Sequence, residues 1–221
     1  SFDFVWGFTQ VSVTPETSEI LALITRRGLL LPKVLYFGPK QGPGIFQSIA
    51  DTIFGNLRDA DGLEFVSVFV DDCNLSTQGF EGETKDEVFE RHLRQLELFL
   101  EAAVAKKVQF KLEKSKFGWT QIPMLGFIVG EGKRMIQPGK AQALRDWPMP
   151  TSVEDVVSFR AFGNFLREFI PRFQELDAKL KVFTKKGVKW DLWEQDPSYK
   201  EAFEQMRQAL AHDAALFMPD Y

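Results

Sequence analysis

The sequence predicts an α+β fold in which an antiparallel sheet with packed helices is followed by a mainly helical part. Runs rich in β-branched and aromatic residues, which favour strands, recur along the first 137 residues and alternate with helical segments. From Pro138 onward the strand signal fades, and apolar residues recur at helical spacing instead. We therefore place a division near residue 137.

Short strands and one amphipathic helix are predicted at the start of the chain. The β-like runs cover residues 1–5, 10–13, 21–25 and 28–37. Residues 15–17 form a predicted turn, and residues 38–44 form a loop too rich in Gly and Pro for regular structure. This loop leads into a helix from about Ile45 to Leu57, where Phe46 and Ile49 begin an apolar face.

A long helix and a basic segment follow. Thr84 and Glu87 have the spacing of a capping box, which marks a helix start. The expected buried face of this helix comprises Phe89, Leu93, Leu96, Leu100 and Val104. The next segment is rich in lysine: Lys106, Lys107, Lys111, Lys114 and Lys116. This patch is either a solvated turn or part of a site. A strand at 123–129 and a hairpin turn at 130–133 complete the first part.

Four helices are predicted after the division. The first spans about residues 139–147, and Pro148 and Pro150 break it. Thr151 and Glu154 cap the second, and Pro171 starts or kinks the third. The last helix begins at Pro197 and has three apolar residues on one face: Phe203, Met206 and Leu210.

Composition excludes several classes of protein. The single cysteine, Cys73, excludes an intrachain disulfide and fits an intracellular compartment, the cytoplasm or the nucleus. No apolar run reaches about 18 residues, so we expect no membrane span. The net charge of −4 argues against a protein coated in nucleic acid. Because Phe occurs 22 times, most of these rings are expected to pack in a core.

The segment 64–75 contains the candidate site. Residues 65–70 have apolar side chains on both faces, so we expect a buried strand, which then meets Asp71 and Asp72. An acidic hairpin tip of this kind also arises by chance, because Asp is a favoured turn residue. A metal site needs a third carboxylate, and Asp3, at the end of the first strand, is the candidate. Three such carboxylates suit two Mg²⁺ ions in nucleotidyl transfer.

Segments in order along the whole chain resemble the reverse transcriptase of gypsy-like LTR retrotransposons and related retroviral-type polymerases. Residues 2–11 resemble the first metal motif, and residues 37–47 are similar to the loop and helix that support template and nucleotide. Phe69-Val70-Asp71-Asp72 resembles the Tyr-x-Asp-Asp box. Residues 111–117 resemble the lysine-bearing motif, and residues 124–127 the primer grip. Further similarity to thumb and connection landmarks lies at 147–150, 162–170 and 216–220.

The resemblance implies a palm without preceding fingers at residues 1–137, a helical thumb at 138–185 and the start of a connection region at 186–221. It implies an RNA-directed DNA polymerase that extends a primer with deoxynucleotides. The implied cofactor is a pair of Mg²⁺ ions, with Mn²⁺ as the alternative. The implied partners are an RNA/DNA template–primer and a dNTP.

The resemblance also implies roles for individual residues. Asp3, Asp71 and Asp72 are the expected catalytic and metal-binding carboxylates, with the Phe4 carbonyl as a further ligand and Lys114 as general acid. Phe8 is the expected steric gate against ribonucleotides, or else an ordinary core ring. Two further sets are expected to contact substrate: Gln41 and Gly42 at the nucleotide, and Met124, Leu125 and Gly126 at the primer. Basic residues of the helical part either meet phosphates or are solvated: Arg160, Arg167 and Arg172.

Departures from the family leave a second hypothesis open. Phe8-Thr9 stands where Tyr-His is usual, Pro39 where Leu is usual, and Phe127 where His is usual. Fingers before Asp3 and a ribonuclease H domain after Tyr221 are also absent from the sequence. The alternative is a domesticated, non-catalytic domain acting as a structural subunit among other protein chains. A binding module for single-stranded nucleic acid is a weaker third reading, since its stacking aromatics are indistinguishable from core Phe.

Overall fold

The computed structural model describes residues 1–209 and the backbone of 215–217. Antiparallel sheets combined with helices confirm the α+β class. The chain divides into two compact units, Ser1–Gly118 and Trp119–Tyr221. No helix among the described residues is both long and apolar enough to cross a membrane.

The first unit combines a small central sheet with helices. In chain order it contains β1 (Phe2–Asp3), α1 (Pro15–Ile20), β2 (Leu23–Thr25), β3 (Gly28–Leu30), α2 (Gly42–Phe54), β4 (Val66–Phe69), β5 (Asp72–Leu75) and α3 (Lys85–Ala105). Short 3-10 helices lie at Gly7–Gln10 and Leu112–Lys114. The central sheet is antiparallel with strand order β1-β5-β4, and β2 and β3 form a separate hairpin.

Phenylalanine rings fill the core of this unit. Phe54 and Phe99 are fully buried, with ring centroids 4.8 Å apart. Phe99 also lies 4.9 Å from Phe2 and 5.2 Å from Phe110. These ring contacts pack α2 and α3 against β1 and against the segment around Phe110, which lies next to β1. The core therefore supports the strand that carries Asp3.

Several predicted elements of this unit differ from the structure. The strand at 10–13 is reduced to one bridge between Ser12 and Val34. Residues 15–17 begin α1 instead of forming a turn, because the Thr17 N–H donates to the Thr14 hydroxyl and Pro15 suits the first helical position. The run at 28–37 ends as a strand at Leu30, close to Pro32, which has no N–H for a ladder.

The capping box of α3 is confirmed, but its predicted buried face is wrong. Phe89, Leu93, Leu100 and Val104 are all exposed, and Leu96 is only partly buried. The buried residues are Arg91, Gln95, Phe99 and Ala103. Arg91 pairs with Glu83, and Gln95 donates to Asp59 at 2.8 Å. Polar side chains can be buried when they have hydrogen-bond partners. The spacing of apolar residues does not predict such buried polar positions.

The strand before the two aspartates is also less buried than expected. Phe69 is 55% exposed, while Val66 and Val68 on the opposite face are partly buried against the core. The reason is that β4 lies at the edge of its sheet and packs through one face only.

The second unit joins a sheet to a helical core. It contains β6 (Gln121–Met124), β7 (Phe127–Gly130), β8 (Lys133–Ile136), α4 (Pro138–Arg145), α5 (Val153–Phe165), α6 (Phe173–Leu180), α7 (Asp191–Gln195), α8 (Pro197–Gln208) and β9 (Ala215–Phe217). The strands are antiparallel in the order β6-β7-β8-β9. The expected strand at 123–129 is therefore two strands, joined by a tight turn at Leu125–Gly126. The hairpin turn predicted at 130–133 is confirmed.

Helix starts in this unit follow local capping chemistry. The N-cap of α5 is Ser152 and not Thr151, because the Ser152 hydroxyl accepts the Asp155 N–H, whereas Thr151 donates to the Asp155 carboxylate. Phe203 and Met206 are buried on α8 as predicted, and Leu210 lies outside the described residues.

The change in composition near residue 137 falls inside the second unit. Ile136 from β8 is buried in the helical core, and Phe127 from β7 packs against it. Strands and helices thus share one core from Trp119 onward, and the compact units divide after Gly118. The assignment of palm, thumb and connection regions remains a prediction.

Candidate active site

Asp3 lies between two antiparallel neighbours. On one side it pairs with Asp72 of β5, so their side chains project from the same face of the sheet. On the other side the Lys111 N–H donates to the Asp3 carbonyl at 2.8 Å, and the Val5 N–H donates to Gln109 at 3.0 Å. Both ladders fix the carboxylate of Asp3 beside the β4–β5 hairpin.

The backbone around Phe4 suits its expected role as a carbonyl ligand. The segment 109–111 makes backbone hydrogen bonds with Asp3 and Val5. In this antiparallel pairing the N–H and C=O of Phe4 therefore point away from that segment. That direction is the side of β1 on which β5 lies. The Phe4 ring itself is buried.

Asp71 occupies the tip of the hairpin. Phe69 pairs with Asp72, so Val70 and Asp71 form a two-residue loop. Val70 has a φ of 50°, a left-handed conformation that is strained for a β-branched residue by on the order of 1–3 kcal/mol. A β-carbon at Gly7 would lie 3.0 Å from Asp71 Oδ1, so any larger residue there would push on the carboxylate.

Asp3 and Asp72 act electrostatically on Asp71. Partial burial of its carboxylate, then repulsion by Asp3 and by Asp72, raises the pKa of Asp71 above its usual value, and Lys111 opposes this rise. Asp71 is exposed as a residue, but its Oδ1 lies close to Gly7, which explains the partial loss of water. The acid near the amino terminus and the hairpin tip thus share one site.

Two lysines contact Asp3. Lys111 Nζ lies 3.5 Å and Lys114 Nζ 3.4 Å from Asp3 Oδ2. Lys114 is the more exposed of the two, at 60% of its side chain against 31%. The short 3-10 helix at Leu112–Lys114 places both ammonium groups on one carboxylate. The sequence-based expectation named Lys114 as general acid and did not predict that Lys111 and Lys114 both contact Asp3.

The residues fit a metal ion in part. Asp3 and Asp71 supply the hard oxygen ligands that Mg²⁺ prefers, and repulsion between them is what a bound cation would relieve. Among the described residues, however, no group of three or more His, Cys, Asp or Glu side chains is arranged to hold an ion. Both lysine contacts are to Asp3 Oδ2, so a metal ion would bind Oδ1 or compete with the two ammonium groups for Oδ2.

Phe8 is buried, with 6% of its surface exposed. Its ring makes edge contacts with Phe37 and Phe46, at centroid distances of 4.7 and 5.4 Å. Phe46 also contacts Phe4 at 5.2 Å, so the ring is fixed to the strand that carries Asp3. The position is close to the carboxylates, and the packing is that of a core residue.

Gln41 and Gly42 lie at the start of α2. Gln41 is exposed, and its carbonyl accepts the Ile45 N–H at 3.0 Å. Gly42 is buried, but a β-carbon there would meet no atom within 4 Å, so close packing does not require glycine. A shallow depression runs beside Gln41 and is lined by Lys40, Gln41, Gly44, Ile45, Ser48 and Ile49.

The segment assigned to the primer grip forms the β6–β7 turn of the second unit. Met124 pairs with Phe127, and Leu125 and Gly126 both have positive φ, 47° and 83°. Leu125 is 43% exposed. The turn therefore exposes one large apolar side chain, that of Leu125.

Two of the three basic residues singled out in the helical part are ion-paired. Arg160 Nε lies 2.7 Å from Asp177 Oδ1, and Arg172 pairs with Glu175. Arg167 is exposed. Arg160 and Arg172 thus already have carboxylate partners.

Sequence reasoning missed the contact between Gln47 and the hairpin. The Val70 N–H donates to Gln47 Oε1 at 2.7 Å, and Gln47 Nε2 donates to the Val68 carbonyl at 3.0 Å. Gln47 stands in a helical pattern as an ordinary polar residue, so no local signal identified it.

Comparison with known proteins gives a consistent result. A family model described as "Reverse transcriptase (RNA-dependent DNA polymerase)" matches residues 1–129. The Pol polyprotein from transposon 297 of Drosophila melanogaster is 24% identical over the whole chain, and that from transposon opus is 29% identical over 84% of it. The Pol polyprotein of feline endogenous virus ECE1 is 27% identical over 97%. This chain spans about a fifth of these relatives, 20%, 17% and 20% of their lengths.

Solved structures show the same fold. The foamy viral protease-reverse transcriptase in complex with double-stranded DNA matches 99% of this chain and 36% of its own, with a TM-score of 0.79 at 22% identity. Its complex with an RNA/DNA hybrid matches 98% of this chain and 27% of its own, with a TM-score of 0.75 at 24% identity.

Proposed function

This chain belongs to the reverse transcriptase (RNA-dependent DNA polymerase) family, and from that premise we propose that it carries the active site of an RNA-directed DNA polymerase. The proposed reaction adds deoxynucleotides to a primer 3′-hydroxyl on a nucleic acid template. The observation that supports it is the placement of Asp3 close enough to Asp71 to raise the pKa of Asp71, although the two are far apart in sequence.

In this proposal Asp3, Asp71 and the Phe4 carbonyl would hold two Mg²⁺ ions, with Asp72 as an accessory carboxylate. Bound Mg²⁺ would activate the primer hydroxyl and stabilise the departing pyrophosphate. The chain's own groups then have distinct tasks. Lys114, exposed beside Asp3, is the proposed proton donor to pyrophosphate, and Lys111 shares its position. Phe8, held by two other rings, would exclude a 2′-hydroxyl by its bulk.

The second unit would hold the primer. The backbone of Met124, Leu125 and Gly126 is the proposed primer contact, since these residues form a tight turn in which Leu125 is exposed. At the start of α2, the exposed Gln41 and the adjacent Gly42 are proposed to approach the nucleotide.

A non-catalytic scaffold is the second candidate, and the lysine contacts favour it. Asp3 already has two ammonium groups within 3.5 Å. If these pairs are permanent, Asp3 Oδ2 is unavailable to a metal ion, and the domain serves other chains as a structural subunit.

Primer extension on an RNA template, with and without Mg²⁺, tests the choice. We expect Asp71→Asn to abolish Mg²⁺-dependent extension, and Asp61→Asn, an exposed carboxylate in the same unit, to leave it unchanged. The assay is run on this chain and on a longer version with the length of its relatives. The polymerase proposal fails if neither protein incorporates a deoxynucleotide.

A further inference from the structure

We propose that Lys140 binds a backbone phosphate of the nucleic acid, next to the β6–β7 turn, which deepens the proposed function and rests on it for the identity of the ligand. Lys140 lies in the first turn of α4 and is half-buried. Nothing in the sequence pattern distinguishes it from other helical lysines.

The turn creates the space that Lys140 occupies. Gly126 has a φ of 83°, and a β-carbon at this position would overlap Lys140 Nζ and lie 3.0 Å from the Phe165 ring. Glycine therefore serves two purposes here. It permits the left-handed turn, and it allows an ammonium group to rest directly on the turn backbone.

An aromatic stack holds the ammonium group in place. Lys140 Nζ lies 4.2 Å from the centroid of the Phe165 ring. Phe165 stacks on Phe127 at 4.9 Å with an interplanar angle of 15°, and Phe127 stacks on Phe169 at 5.6 Å. A cation over an aromatic face is attracted without being neutralised, so Lys140 keeps its charge and its hydrogen-bond donors.

Lys140 differs from two other cations of this unit, Arg134 and Lys200, which have carboxylate partners. Arg134 lies over the same stack, 5.0 Å from the centroid of Phe127, but is ion-paired with Glu168. Lys200 pairs with Glu194 at 2.5 Å. Among the residues that the structure describes, none supplies a carboxylate to Lys140. Its positive charge is therefore available to an external anion.

The surroundings favour a nucleic acid backbone as that anion. Leu125 is 43% exposed and Phe165 39% exposed, so the single cation lies beside apolar surface. A sugar can pack on such a surface while its phosphate accepts a bond from the ammonium group. Contacts of this kind position a nucleic acid without reading its sequence.

Salt-dependent binding to a fluorescent RNA/DNA primer–template duplex tests the proposal. Each phosphate contact contributes about 0.9 to the slope of log affinity against log salt. We expect Lys140→Ala to reduce the slope by about 1 and to weaken binding roughly five- to tenfold at 0.1 M salt. Lys140→Arg should retain the slope, and Phe165→Leu should weaken binding less. Lys200→Ala, which removes an equal but paired charge, should behave like the parent.

Three results would overturn the inference. They are no binding by the parent, an unchanged slope for Lys140→Ala, or an equal loss for Lys200→Ala. Thermal unfolding of each variant checks that the fold is retained. The same samples are assayed for primer extension, which separates the two proposals. If the parent binds with a slope that depends on Lys140 but extends no primer, the phosphate contact stands and the polymerase proposal fails.

Discussion

The side-chain amide of Gln47 pairs with the backbone of the strained residue Val70. The Val70 N–H donates to Gln47 Oε1 at 2.7 Å, while Gln47 Nε2 donates to the Val68 carbonyl at 3.0 Å and to Asp51 Oδ1 at 2.8 Å. Because β4 lies at the sheet edge, these backbone groups have no partner strand, and Gln47 takes its place. A helix thereby holds the residue that precedes Asp71.

Loss of this contact should release the hairpin tip. We expect Gln47→Leu to lower the free energy of unfolding by about 1–2 kcal/mol, since two backbone groups lose their partner. Extension should fall about tenfold, equivalent to roughly 1.4 kcal/mol of activation free energy, with little change in the KM for primer. Urea unfolding and steady-state kinetics measure both. Ser48→Ala, exposed on the same helix, is the control. Parent-like kinetics in Gln47→Leu would show that the tip holds its geometry without the amide.

The negative charge of ionised Asp71 should lower the stability of the folded protein. Its raised pKa means that the folded state binds the proton more tightly than the unfolded state, so stability falls as pH rises above the ordinary value of 3.8. Asn carries no such charge. We therefore expect Asp71→Asn to unfold at a higher temperature than the parent at pH 7, and the difference to vanish below that ordinary value.

Thermal unfolding at a series of pH values measures this effect, with Asp61→Asn as control. An Asp71→Asn protein less stable than the parent at pH 7 would contradict the electrostatic explanation. A variant that is more stable and inactive would show that the site keeps a repulsive cluster at the expense of stability.

The candidate site was predictable from sequence where its signals are local. Asp3 ends one short β-rich run, and Asp72 follows another. Because both runs end in carboxylates, we expect these side chains to lie close together, and the two residues do pair. The close approach of Asp71 Oδ1 to Gly7 was not predicted, because the two residues are far apart in sequence. What the sequence shows locally is therefore the two carboxylates at strand ends, each read from the residues beside it.

Features that depend on distant partners were not predictable. Arg91 is buried because Glu83 and the Gln78 carbonyl receive its guanidinium, and Gln95 is buried because Thr77 and Asp59 bond to it. A prediction based on apolar spacing along α3 assigns such polar residues to the solvent side. It therefore places the buried face on the wrong side of the helix. The role of Gln47 was missed for the same reason, since its partners lie on an edge strand.

Removal of the Phe8 ring should relax sugar selection. We expect Phe8→Ala to raise incorporation of ribonucleotides relative to deoxynucleotides, because space for a 2′-hydroxyl opens beside the carboxylates. The ring is buried, so the same change should cost about 3–5 kcal/mol of unfolding free energy. Competitive incorporation at a temperature where both proteins remain folded measures the ratio.

The control for this experiment is Phe54→Ala, which removes a buried ring of the same core. It should destabilise the protein without changing the ratio of nucleotides. An unchanged ratio in Phe8→Ala, together with a large loss of stability, would assign Phe8 to the core alone.

The ion pair between Glu83 and Arg91 should make the first unit sensitive to acid. Hydrogen bonds from Arg91 and from the Phe80 N–H lower the pKa of Glu83 from 4.5 to about 2. The depressed pKa means that the pair stabilises the folded state fully above 4.5, and that this stabilisation is lost as pH falls toward 2. We expect Glu83→Gln to be less stable than the parent at pH 7 and to lose less stability between these pH values. Urea midpoints measured across that interval, with the exposed Glu81→Gln as control, check this. Equal pH dependence in Glu83→Gln and the parent would mean that the acid sensitivity arises elsewhere in the unit.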